Sequence, residues 1–384
     1  MEITLPPTGF VHWPVGNGDS TTVCIDAKTL VQVDLNHLAS AEDDDDPRTP
    51  LLDHLVPLLP KVDGRPYLPL FVLTHPDLDH CRGFAELLKR ATIGELWFTP
   101  RVFREFKSEL CDDAQAFQKE AKRRVKQAIA GKQGAGERVR IIGRDELLEE
   151  EGFKGFPKER LTAPGSTITE IDGADRVDAV RIFLHAPFKD DSDGDRNDTS
   201  VGMQVTLLRE GGEGRALLLG DLCYPTVNRI FTKSQKGDLS WNVFLGPHHC
   251  SKSVLYWSDI DDEEETLRED LEKTIETAAL SPGYVVLSSE PCPKADEAGD
   301  NPPHAKARKR YEEMAPDDVL CTGEHGDPKF PEPIIFEVGK AGLTCRAVTS
   351  RSGKTSKAAG LSATVAAARG ASEPPSQRVG FGSH

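Results

Sequence analysis

An α/β protein is what this sequence predicts, and three observations carry the reading. Apolar runs at residues 68–73, 201–208, 216–219, 243–245 and 284–287 are short enough to be buried strands. Segments with helical spacing fall between the earlier ones. Several runs end in His, Asp or Ser, and in α/β folds ligands collect at the carboxyl ends of strands. Apolar residues make up 38% of the chain and charged residues 29%, as in a soluble globular protein. A length of 384 residues admits one large domain with extensions as readily as two domains.

In chain order, residues 15–20 form a glycine-containing loop, followed by a hairpin with arms at 21–25 and 29–33. β-Branched residues on both sides of Asp26-Ala27-Lys28 support that hairpin. The acidic stretch 41–50 reads as a solvated linker, and a helix is expected over 51–59. The strand 68–73 and its polar sequel come next, then a helix over 83–90. Between 101 and 132, Phe106, Leu110, Phe117, Ala121, Val125 and Ile129 give one apolar stripe on a long helical stretch. Lys119, Lys122, Arg123, Arg124 and Lys126 make that stretch basic, a solvated face or else a contact for nucleic acid or a protein partner. Residues 101–175 read as an insertion in a compact core. An acidic helix is expected over 259–278, capped by Ser258 or Asp259, and a disordered tail over 349–384.

The chemistry concentrates in Thr74-His75-Pro76-Asp77-Leu78-Asp79-His80. Two imidazoles and two carboxylates directly after a buried strand suit zinc, manganese or iron better than calcium or magnesium. This motif resembles the His-x-His-x-Asp-His signature of metallo-β-lactamase-fold hydrolases, with Asp77 in place of the second histidine. That Asp is similar to the subgroup containing the soluble hydrolase domain of the bacterial competence DNA-uptake channel. The resemblance extends, in order, to residues 15–20, Asp34, 197–200, Gly220-Asp221, 248–251, 301–304 and 322–326 with the strand 333–338.

The resemblance implies a four-layer αββα sandwich over residues 1–348. It implies one or two divalent metal ions, manganese or zinc, held by His75, Asp77, Asp79, His80, Asp221 as the bridge, and His248. His249 is then a neighbour or substrate group, although the sequence does not separate it from His248. Asp34, Asn197, Ser200 and Ser251 are expected near the substrate, and His37 faces the site or is a plain loop histidine. Asp79 and His304 are the expected catalytic groups, His304 as a proton donor to the leaving group. His185 is an available extra histidine, and Cys250 stands where the family has glycine.

Such a metal pair activates water and neutralises transition-state charge. The expected substrate is a phosphodiester in DNA, RNA or a nucleotide. Alternatives are an ester, lactone or amide hydrolase, or a non-catalytic scaffold that binds a partner through 101–132 or the acidic segments. A net charge of −16 weighs against a broad duplex-gripping surface. Eight scattered cysteines without a Cys-x-x-Cys pair, no signal segment and no membrane-length apolar run read as cytoplasmic.

Overall fold

Along the strand Arg65–Val72, Leu70 and Val72 pack to one side while Phe71 packs to the other, and all three are fully buried. A strand covered on both faces reads as a continuous apolar run, which is why this segment shows no alternation. In the computed structural model, residues 3–38, 46, 49–104, 110–193, 196–258, 264–297, 299–327 and 329–347 are described. The expected tail and most of the 41–50 linker lie outside them, as do residues 259–263.

Arg65–Val72 sits in the parallel half of one sheet, between Thr29–Val33 and Thr92–Phe98, with Arg138–Ile142 beyond. The other half of that sheet is antiparallel and contains Gly9–His12, Thr21–Asp26 and the late strands Ile334–Gly339 and Gly342–Cys345. A second sheet repeats the plan. Val180–Ala186, Gly202–Arg209 and Gly212–Leu218 are antiparallel neighbours, and Trp241–Leu245, Ala279–Leu287 and Asp318–Cys321 continue in parallel.

Three apolar clusters define four layers. Val31, Val33, Leu70 and Val72 of the first sheet meet Ile182, Met203, Val205, Val243 and Val286 of the second. Outside the first sheet, Phe71 and Leu73 pack against Leu55, Phe84, Phe117 and Val125 of the helices Leu51–Leu58, Phe84–Arg90 and Asp112–Ile129. Outside the second, Leu217, Phe244 and Leu287 pack against Ile230, Ile275 and Tyr311 of Tyr224–Lys233, Glu269–Ala278 and Ala305–Met314. This is the αββα sandwich that the resemblance implies.

Some local expectations change. The acidic helix begins at Glu269, not at 259, because Thr266–Leu267 pairs with Tyr256–Trp257 as a small ribbon first. Residues 101–175 supply a helix to the first sheet's outer face and the strands Arg138–Ile142 and Leu161–Thr162 to its edge. Arg124 in that stretch is buried, donating to the Ile93, Gly94 and Arg138 carbonyls, and Arg123 pairs with Glu120 and Glu137. Arg124 thereby holds the helix to its sheet. Among the described residues, no helix is long and apolar enough to cross a membrane.

Candidate metal centre

The carboxyl ends of strands from both sheets meet at one place. Thr29–Val33 ends at Asp34, whose φ of 55° lies in the left-handed region. That conformation costs a non-glycine residue ~1–2 kcal/mol. It is offset here by the bonds the carboxylate makes. Asp34 is fully buried and accepts from the Thr74 N–H at 2.8 Å and the Thr74 hydroxyl at 2.6 Å. Its Oδ2 also lies 2.8 Å from His80 Nδ1. With Nδ1 tied to this anchor, the ring presents Nε2 on its far side.

From the second sheet, Gly212–Leu218 leads to Asp221, and Trp241–Leu245 leads to Pro247-His248-His249-Cys250. His248, His249 and Cys250 all have positive φ, at 52°, 52° and 67°. Three left-handed residues in succession are a strained turn of the kind that clusters at functional sites. The turn sends His249 inward, where Nδ1 lies 3.2 Å from the Ser288 carbonyl and 3.4 Å from Asp19 Oδ1. Its Nε2 then stands 3.1 Å from Asp79 Oδ2 and 3.4 Å from Asp221 Oδ2.

Asp79, His80, Asp221 and His249 thus bring one ligand atom each within 4.8 Å of one another. His80 Nε2 is 3.1 Å from Asp221 Oδ1. His75 borders the group: Thr74 and Ser200 hydroxyls hold its Nδ1 at 3.1 and 3.2 Å, and its Nε2 lies 3.9 Å from Asp221 Oδ2. The fit to a cation is visible in the unmet bonding of buried atoms. Among the described residues, buried His75 Nε2 has no hydrogen-bond partner, and buried His80 Nε2 and Asp221 Oδ1 have only each other, facing at 3.1 Å. Buried polar atoms are rarely left so, and a divalent ion satisfies imidazole nitrogen and carboxylate oxygen together.

The electrostatics agree. Burial alone would lower His80 and His249, but Asp221 with Asp34 and Asp79 around the first, and with Asp19 and Asp79 around the second, raises both well above the usual histidine range. Burial opposes ionisation of Asp221 too, yet His249 and His80 hold it well below the usual carboxylate range. A pocket that draws protons onto two imidazoles is negative enough to hold a metal in their place. Burial, with His80 beside it, drops His75 to about 4, leaving a neutral imidazole.

The remaining expected residues fall in several places. Asp77 lies 3.6 Å from His75 but is paired with Arg196 at 2.8 Å. Of the two histidines, it is His249 rather than His248 whose ring nitrogen gathers with Asp79, His80 and Asp221. His248 stays at the rim, a quarter exposed, 3.7 Å from Asp221, because the left-handed turn separates the two rings. Ser200 holds His75, and Asn197 accepts the Ser200 N–H through its carbonyl. His37 packs behind the motif, its Nδ1 3.4 Å from the Leu52 N–H. Ser251 caps the short helix Lys252–Val254.

His304 does not take the proton-donor place read for it. Its Nδ1 accepts from the Lys252 N–H and its Nε2 meets the Asp300 carbonyl, each at 3.2 Å, so both ring nitrogens are engaged by backbone. His185 is likewise structural, between Ser234 Oγ and the Asp238 carbonyl. Cys250 is a buried packing residue. Asp19, Thr74, Arg196 and the Ser288 carbonyl were missed as site groups. For Asp19 the signal was Gly18: a Cβ there would stand 2.7 Å from the Asp79 carbonyl, so only glycine lets the loop close on the motif.

No family model and no curated protein matches the sequence. Among solved structures, the chain is similar to a B3 metallo-β-lactamase with an active-site glutamic acid. Identity is 12% and the TM-score 0.36, over 72% of this chain and 88% of that one. It is similar to a diphosphatase of the PhnP family at 11% identity and TM-score 0.35, over 85% of each chain. A metallo-β-lactamase superfamily protein from Sulfolobus tokodaii gives 12% and 0.31, over 80% of this chain and 97% of that one. At such scores, the case for a metal centre stands on this chain's own geometry.

Proposed function

We propose that this protein is a metal-dependent hydrolase that cleaves phosphodiester bonds in nucleic acid or a nucleotide, with manganese or zinc as its metal. The observation that carries the reading is the convergence of buried His75 Nε2, His80 Nε2 and Asp221 Oδ1 beside Asp79 and His249. When bound, the metal supplies Lewis acidity and a water made nucleophilic near neutral pH. The residues do the holding. Asp221 reaches both sides of the site, Asp34 orients His80, and Ser288 with Asp19 orients His249.

Two features favour a phosphodiester over a neutral ester. Arg196, partly exposed beside Asp77, brings a guanidinium to the rim, where it can take a phosphate oxygen. Asp77 in the signature, with Asn197 and Ser200 following, also supports the competence-channel subgroup. The test is turnover of bis(p-nitrophenyl) phosphate with added manganese, beside p-nitrophenyl acetate. We expect the diester to be cut, and Asp79→Ala and His80→Ala to lose that activity while keeping the fold. Turnover of the acetate alone would transfer the site to ester chemistry, and full activity in both variants would refute the reading.

A further inference from the structure

Beside the metal centre lies a second concavity of about 140 Å³, which the hydrolase reading leaves unused. The strands Arg65–Val72, Thr92–Phe98 and Arg138–Ile142 run parallel as neighbours, ~4.8 Å apart. Their carboxyl ends therefore place His75, Thr99 and Gly143 in a row. Thr99 and Gly143 line the concavity, and so does Thr199, whose neighbour Ser200 holds the His75 ring. The two sites share a wall.

The lining has two characters. Ile142, Leu147, Pro187 and Phe188 give it an apolar interior. Among the described residues, Arg101, Arg104, Arg144 and Lys189 line it together with Glu146 and Glu150, in a chain of net charge −16. Glu150 pairs with Arg104 and Glu146 with Lys189, and the formal charge of the described lining is positive. At the sheet end, Thr99 is 1% exposed and its hydroxyl has no hydrogen-bond partner among the described residues. The volume falls well below the ~300–1,000 Å³ that encloses a drug-sized ligand, so it suits one ring rather than a whole molecule.

We infer that this concavity is a nucleotide subsite, taking the base next to the scissile bond in its apolar interior and a flanking phosphate on its arginines. It rests on the phosphodiesterase reading and sharpens it: the preferred substrate carries a base and a second phosphate, as in a dinucleotide or single-stranded oligonucleotide. Planar bases stack on aromatic and apolar walls regardless of sequence, and guanidinium groups grip phosphate in two-pronged fashion.

The test is binding of a 5′-mononucleotide to the full chain, beside inorganic phosphate and the matching nucleoside, in wild type, Arg144→Gln, Arg101→Gln and Thr99→Val. The mononucleotide should bind more tightly than either fragment. Each arginine variant should weaken it about tenfold, the scale of one lost charge-assisted hydrogen bond, with its melting temperature and metal content retained. In turnover of a 5′-phosphorylated dinucleotide, the same variants should raise KM with little change in kcat. No mononucleotide binding by wild type, equal binding of inorganic phosphate, or unweakened binding in folded variants would each overturn the subsite. The binding arm needs no turnover, so it stands or falls apart from the hydrolase reading, which the small diester tests.

Discussion

On one side of Asp221, the ligand atoms of Asp79, His80 and His249 gather with it inside 4.8 Å, each imidazole fixed from behind by a carboxylate or a carbonyl. On the other side, His75 is neutral and held by hydroxyls, Asp77 is claimed by Arg196, and His248 sits at the rim. The first half is built for a cation. In the second half a cation must compete with a guanidinium for Asp77. The difference predicts unequal affinities: one firm site on the His80 side and a weaker one on the His75 side.

The largest effect that could break this comparison comes from the firm half. Asp79→Ala or His80→Ala should lower metal-dependent turnover by ~10³-fold or more, several kcal/mol of transition-state stabilisation, while Asp77→Ala costs less. Steady-state kinetics on all three variants would show it, and equal losses would dissolve the distinction.

Acid probes a related contrast among buried histidines. His80 and His249 are raised by carboxylates, whereas burial, opposed only in part by Asp19, lowers His12 to about 4. Its folded value lies below its unfolded one, so the unfolded chain binds more protons between pH 6.5 and 4. Stability is full above that window and falls on acidification through it, by on the order of 3 kcal/mol for this residue. Denaturant melts of wild type and His12→Gln at pH 7 and 4.5 would measure this, the variant showing the shallower pH dependence.

A smaller effect separates the supports. Asp34→Ala removes the anchor of His80 and should weaken metal binding ~10–100-fold, as loss of a group behind a ligand does. Ser200→Ala, behind His75, should cost less than that. Smallest in energy is Arg196→Gln, which frees Asp77 and should raise the metal taken up at fixed manganese from about one equivalent toward two. Titration calorimetry reads both.

Much of this was legible in the sequence because its causes are local. A buried strand ending in His-x-Asp-x-Asp-His declares both the sheet and the metal-liking edge, and Asp34 and Asp221 follow strands whose apolar runs are plain. The choice between His248 and His249 was not legible. It depends on three consecutive left-handed residues, none of them glycine, and side-chain type carries no sign of that turn. His304 misled for a related reason, since its ring is engaged by Lys252 and Asp300 backbone groups that only the fold brings near. Arg124 looked like surface charge because a basic helix segment does not reveal which arginine reaches three carbonyls beneath it. Arg196 lay in an acidic loop, and its pairing with Asp77 spans 119 residues.

The most direct test of the central claim is the metal content of wild-type protein, measured beside Asp221→Ala and His75→Ala after equilibration with manganese or zinc. At least one tightly held equivalent in wild type and His75→Ala, lost in Asp221→Ala, is the predicted result. No bound metal in wild type, or full occupancy without Asp221, would contradict it.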